Sequence, residues 1–193
     1  MFDKKKESGV SASTRPSYAV PGDFCRIFAE DKNALYLLSL LLTADSEKAE
    51  QCFVAGLEDS IHGNPVFKEW ARSWSKRTII KNAIRMISPA PGQISGAQPV
   101  SDKQMLASDL DGLLTAVLQL APLERFVYVM SILEGYSIQE CSILLSCTKQ
   151  EVTASQAHAV QQLAIACLNR LAPLVPGAEG ARAAHFLEPV QVA

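Results

Sequence analysis

Apolar residues recur along this chain at helical rather than strand spacing. Phe24, Ile27 and Phe28 fall one turn apart behind Asp23, a residue type that caps helices. A second apolar run, Ala34 to Leu42, begins after Asn33 and is broken by Thr43-Ala44-Asp45. Asp45 or Ser46 then opens a third helix, with Ala49, Phe53 and Leu57 on one face. His62-Gly63-Asn64-Pro65 stops it, and the pattern predicts a fourth helix from Pro65 to Ile87. Residues 89–109 hold three prolines and two glycines without apolar periodicity, the composition of a linker. Helical patterning resumes near Leu110, and Pro122 starts a helix through Leu133 that Gly135 ends. Ser137 with Glu140 and Thr148 with Glu151 are two capping boxes, each a hydroxyl cap followed three residues on by a carboxylate. They predict a short helix and then a long one from Lys149 to about Leu171, ended by Pro173 and Pro176.

The expected fold is all-α: two small helical modules joined by a flexible linker, the second containing a helix-turn-helix. The divisions are a flexible N-terminal arm (1–22), a first module (23–88), the linker (89–109), a second module (110–172) and a C-terminal tail (173–193). In the second module Ile138, Cys141, Leu144, Leu145 and Val152 suit the wedge between the paired helices. Shape alone leaves open whether this is a helix-turn-helix or an ordinary helical hairpin.

With 193 residues, 48% of them hydrophobic, the chain can build a sizeable core. Its formal net charge of -2 argues, taken whole, against a protein held on nucleic acid by bulk charge. Resolved by segment, it does not. Residues 23–63 carry eight acids and three bases, whereas residues 64–88 carry six bases and one acid, Glu69. Lys68, Arg72 and Lys76 repeat every fourth residue, as do Arg77, Lys81 and Arg85, and Trp70 and Trp74 lie one turn apart. Cations interleaved with rings suit single-stranded nucleic acid, neutralising phosphates and stacking on unpaired bases. The competing interpretation buries both tryptophans and pairs the bases with the acidic helix before them.

No window offers the ~18 uninterrupted apolar residues that spanning a bilayer requires, so no membrane partner is expected. Lys4, Lys5 and Lys6 are followed by no hydrophobic signal segment. Five cysteines without a Cys-x-x-Cys pattern are expected to be reduced thiols packing as small apolar groups in the cytoplasm. His62, His158 and His185 are scattered, so no metal site is expected. No phosphate loop and no nucleophile paired with a base stands out, so the chain is not expected to be an enzyme or to need a cofactor.

Leu120-Ala-Pro-Leu-Glu-Arg, Glu134-Gly-Tyr-Ser-Ile-Gln-Glu140, Leu144-Leu145-Ser146, and then Val152, Ala159 and Leu163 together resemble region 4 of a bacterial sigma factor of the extracytoplasmic-function type, in the sigma-70 family. The first module is similar to region 2 of that family. Ala34-Leu-Tyr to Leu42-Thr-Ala-Asp45 resembles its first core helix, and Glu47-Lys-Ala-Glu50 the start of the next. Phe67-x-x-Trp70, with Lys76-Arg77 and Arg85, resembles the helix that family uses to melt promoter DNA. The resemblance covers residues ~24–171 and preserves the order region 2, linker, region 4.

The resemblance implies a transcription initiation factor whose partners are core RNA polymerase, promoter DNA and an anti-sigma regulator. It assigns DNA contact in the first module to Lys68, Arg72, Trp74, Lys76, Arg77, Lys81 and Arg85. A weaker DNA contact falls to Thr148, Lys149, Gln150, Thr153, Gln156 and His158 in the helix-turn-helix. Polymerase contact falls to Glu47, Glu50, Gln51 and Phe53.

The chain also departs from that family. Its clamp-binding segment usually reads alanine-glutamate-aspartate-x-x-glutamine-glutamate, where this chain has Gln51, Val54 and Ala55 at the last three conserved-type positions. The glycine of the motif turn is Ser146. From Lys149 to Asn169 the only formal charges are Lys149 and Glu151, so the second helix should hold phosphates weakly. These departures define the alternative, a sigma-derived protein-interaction module with weak or lost DNA binding.

Overall fold

A computed structural model describes residues 17–92 and 109–171. Residues 1–16 of the expected arm, 93–108 of the expected linker and the tail from 172 lie outside the described residues. The regular elements are α1 (Pro21–Glu30), α2 (Lys32–Thr43), α3 (Ser46–His62), α4 (Ala71–Ile87), α5 (Asp109–Gln119), α6 (Pro122–Tyr128), α7 (Ile138–Leu145) and α8 (Lys149–Leu171). No described helix is long and apolar enough to cross a membrane.

The helix starts follow local chemistry. Asp45 caps α3 by accepting from the Lys48 amide at 3.0 Å. Ser137 and Thr148 cap α7 and α8, as their capping boxes predict. Asp23 departs from its expected role. It sits in the third position of α1, which begins at Pro21, and its carboxylate accepts from the Val20 amide at 3.1 Å. That bond and Lys68 hold the Asp23 carboxyl below the usual aspartate range.

The long helix expected from Pro65 begins later. Lys68–Trp70 form a 3-10 turn, and α4 proper starts at Ala71. The cause is a pairing with the chain's beginning. Ala19 N donates to Val66 O at 2.8 Å and Lys68 N to Ser17 O at 2.9 Å, placing Tyr18 opposite Phe67 in an isolated antiparallel bridge. The backbone is thus extended up to Phe67, and residues 17–20, expected to belong to a flexible arm, are strapped to the fold. A second difference follows α6, where Val129–Leu133 wind as a π-helix before Gly135, at φ 72°, turns the chain.

Helix α3 lies along α4 at close range. A side-chain carbon at Gly56 would fall 2.6 Å from Ile79 Cγ1, so glycine permits the approach. Thr78 Oγ1 donates to Gly56 O at 2.9 Å, and Cys52 Sγ to Ile79 O at 3.3 Å. Burial pushes the Cys52 thiol up to about 11, so it stays protonated at neutral pH.

The two expected modules pack against each other. One cluster of buried apolar side chains runs from Phe24 in α1 to Leu163 in α8, because α2 packs on α3 and α4 and also on α5 and α6. At this junction Arg125 in α6 is only 3% exposed. Its Nε donates to Leu42 O at 3.3 Å, and its Nη1 to Leu118 O at 3.4 Å and Leu120 O at 2.9 Å. Leu42 belongs to the last turn of α2, Leu118 to the last turn of α5, and Leu120 follows directly after α5, so one guanidinium satisfies carbonyls at two helix C-termini. Desolvation lowers its pKa to about 10, which leaves it charged at neutral pH.

Arg125→Ala strands these carbonyls and opens a void. It should destabilise the fold by about 3 kcal/mol in urea denaturation. Arg125→Lys should recover only part of this, because an ammonium lacks the fork that reaches both helix ends.

Candidate nucleic-acid interface

Trp70, Trp74, Arg77 and Lys81 occupy positions i, i+4, i+7 and i+11 from the 3-10 turn into α4, one face of the helix. The Trp70 ring is 60% exposed. Trp74 is half-buried, and its indole Nε1 is shut off from solvent without a hydrogen-bond partner. Lys81 Nζ stands 5.4 Å from the Trp74 ring centroid, a cation–π contact. Among the described residues, neither Arg77 nor Lys81 has a carboxylate within ion-pair distance, and this separates them from the other bases of the segment.

Those other bases are paired. Lys68 Nζ lies 3.1 Å from Asp23. Arg72 bridges Glu30, at 2.6 Å, and Asp31. The Asp31 carboxylate, more than Glu30, pushes the Arg72 pKa further up. Arg85 lies 3.2 Å from Asp59, which also accepts from Asn82 at 3.0 Å. Lys76 reaches across to the other half of the protein, 2.7 Å from Glu134. The pairing therefore takes in α1, the α1–α2 junction and the segment before α7, besides the acidic helix α3. Between α4 and that last segment is a cavity of about 790 Å³, with Trp74, Lys76, Arg77, Tyr136 and Glu140 in its walls.

Helices α7 and α8 are joined by Ser146-Cys147-Thr148. Cys141, Leu145 and Val152 are buried between them, and Ile138 and Leu144 pack at the edge. Ser146 takes φ 53°, a left-handed conformation that glycine adopts more readily. Thr148, Lys149, Gln150 and Thr153 are exposed at the start of α8, Thr153 donating to Lys149 O at 2.9 Å. Gln156 and His158 are engaged within the fold. Gln156 Nε2 donates to Ser131 Oγ at 2.8 Å, and His158 Nδ1 lies 2.6 Å from Glu124 Oε1. Further along α8, Val160, Ile165 and Leu168 expose about half or more of their surface.

On α3, Glu47, Glu50 and Gln51 face solvent, with Gln51 Nε2 3.3 Å from Glu47 Oε1. Phe53 does not stand out with them. It is half-buried and meets Phe28 and Tyr36 edge to face, with ring centroids 5.1 and 6.4 Å away. An aromatic that the periodicity gave no reason to single out lies on the other side. Tyr18, 57% exposed, stacks on Phe67 at 4.9 Å beside Trp70. The only signal for it is a Tyr-Ala-Val triplet of mostly strand-forming residues in an otherwise polar arm.

No protein-family model matches the sequence, and no curated protein is significantly similar to it.

The two capping boxes carry a pH signature. Glu140 is held below the usual glutamate range by the Ser137 amide and then its hydroxyl, and Glu151 in the same way by Thr148. A carboxylate lowered by folding stabilises above its ordinary pKa, and the effect is lost as pH falls through the lowered value. The Glu140→Ala/Glu151→Ala variant should therefore melt below wild type by a constant margin at neutral pH. The margin should narrow as pH falls below 4.5, as read by circular dichroism.

Proposed function

We propose that this chain is a sigma-like transcription initiation factor, which binds core RNA polymerase and directs it to promoter DNA. The observation that carries the reading is the α4 stripe: an exposed Trp70 in line with Trp74, Arg77 and Lys81, its two cations without a carboxylate at ion-pair distance among the described residues. Rings stack on unpaired bases and cations neutralise the adjoining phosphates, the two properties that holding a melted strand requires. Lys68, Arg72, Lys76 and Arg85 add to this by exchange, since surface ion pairs are worth only about 0–1 kcal/mol each and a phosphate can replace the carboxylate. In this reading α7, the three-residue turn and α8 are a helix-turn-helix that adds a weak upstream contact through Thr148, Lys149, Gln150 and Thr153. Glu47, Glu50 and Gln51 on α3 face the polymerase. The setting is the cytoplasm.

A second reading, a sigma-derived protein-interaction module, is favoured by α8. Gln156 and His158 are bonded to Ser131 and Glu124, and the exposed Val160, Ile165 and Leu168 suit a protein surface, such as that of an anti-sigma regulator, better than a phosphate backbone.

The deciding measurement is binding to forked promoter DNA in the presence of core polymerase, titrated with salt. Initiation activity predicts a steep salt dependence. Arg77→Glu/Lys81→Glu should then lower affinity at least about tenfold at low salt and flatten log K against log salt by roughly 1.5 or more. Wild-type binding by this variant removes α4 as the DNA surface. Failure of the native chain to capture core polymerase leaves the interaction-module reading.

A further inference from the structure

We propose that Tyr18, Phe67 and Trp70 form an aromatic ladder that extends the α4 stripe and takes unpaired bases of a single strand by stacking. The inference rests on the nucleic-acid reading of α4 and adds to it a surface built by the beginning of the chain.

The ladder is a product of backbone pairing. The two hydrogen bonds between residues 17–19 and 66–68 leave Tyr18 and Phe67 directly opposite each other as a pair without mutual hydrogen bonds, the arrangement that brings cross-strand side chains closest. Their rings stack with centroids 4.9 Å apart and planes 20° from parallel. Phe67 in turn meets Trp70 edge to face at 5.3 Å. The inner ring is half-buried, while the two outer rings are 57% and 60% exposed. Burial alone does not explain two large rings that keep more than half their surface in water at the ends of one ordered stack. Trp70 belongs to both the ladder and the α4 stripe, so the two surfaces meet at its side chain.

Charge separates the two parts of this surface. Around the ladder, Lys68 is held by Asp23, and Arg72 by Glu30 and Asp31. Phosphate reaches these two cations only by displacing their carboxylates, so the ladder acts chiefly through its rings. Along α4, Arg77 and Lys81 have no carboxylate at ion-pair distance among the described residues, so phosphate need displace none. Removing a ring from the ladder should therefore lower affinity without changing its salt dependence, whereas removing the α4 cations should change both.

The test uses the full chain and a fluorescein-labelled 12-nucleotide single strand, read by anisotropy across a salt series, with the matching duplex as a control. Tyr18→Leu keeps an apolar cover over Phe67 but has no π face. It should bind the single strand about five- to tenfold more weakly, with an unchanged salt slope, an unchanged melting temperature and little effect on duplex binding. Tyr18→Phe should restore single-strand binding. Wild-type affinity in Tyr18→Leu overturns the inference, as does an equal loss on single strand and duplex, or a loss that tracks a lowered melting temperature. If Arg77→Gln/Lys81→Gln still flattens the salt slope in that case, the α4 reading stands while the ladder falls. If the native chain shows no salt-dependent binding at all, both fail.

Discussion

One buried cation joins the two halves of this protein. Arg125 has no carboxylate partner among the described residues, and its charge is balanced by carbonyl oxygens at the ends of α2 and α5. Unsatisfied carbonyls at a helix C-terminus carry partial negative charge, so two helix ends meeting at one guanidinium suit it without a counter-ion. The arrangement is directional. A flat donor fork that serves Leu42 and Leu120 together fixes where α2 sits relative to α5 and α6. What lies farther out depends on that placement: the continuous core, the reach of Lys76 to Glu134, and the cavity between α4 and the segment before α7.

The stripe on α4 is held from behind. Gly56 lets α3 approach to van der Waals range of Ile79, and Thr78, Ser60, Asn82 and Asp59 tie the two helices through hydrogen bonds on the inner side. A helix whose inner face is fixed by packing and short polar contacts presents its outer residues in one register, which an extended ligand needs if several of its groups are to be met at once. The strap formed by residues 17–19 adds a second restraint where the 3-10 turn enters α4.

The sequence made legible what local chemistry decides. The caps at Asp45, Ser137 and Thr148 act within three residues, and the Phe24–Ile27–Phe28 stripe is a property of one helix, so periodicity and spacing find both. It did not reveal what distant segments decide. The start of α4 moved from Pro65 to Ala71 because residues 66–68 pair with residues about fifty positions earlier, and no local pattern around Pro65 encodes that partner. Tyr18 was hidden for the same reason, because the backbone bonds that hold its neighbours go to Val66 and Lys68. Arg125 read as one polar residue of a helix opening, and its burial became visible only once α2 and α5 converged on it. On α8, Gln156 and His158 were candidates for DNA contact, and the fold gives them partners in Ser131 and Glu124, His158 remaining exposed.

The charge of α4 takes on a different meaning in this setting. As a segment it is strongly basic, but folding distributes that charge unequally. Four of the six bases from Lys68 to Arg85 are met by carboxylates from Asp23, Glu30, Asp31, Asp59 and Glu134, which lie on four other parts of the chain, and the two with no carboxylate at ion-pair distance among the described residues, Arg77 and Lys81, line up with the tryptophans. A uniformly basic helix would attract any polyanion along its whole length. Pairing most of the bases leaves attraction concentrated beside the rings, where an unpaired strand can use both and a duplex, with its bases already stacked, can use only the cations. The same reasoning explains how α8 can carry little charge without removing the case for nucleic acid. In the proposed function, selectivity for unpaired strand rests on cation and ring coinciding, which they do on α4 at Trp74 and Lys81.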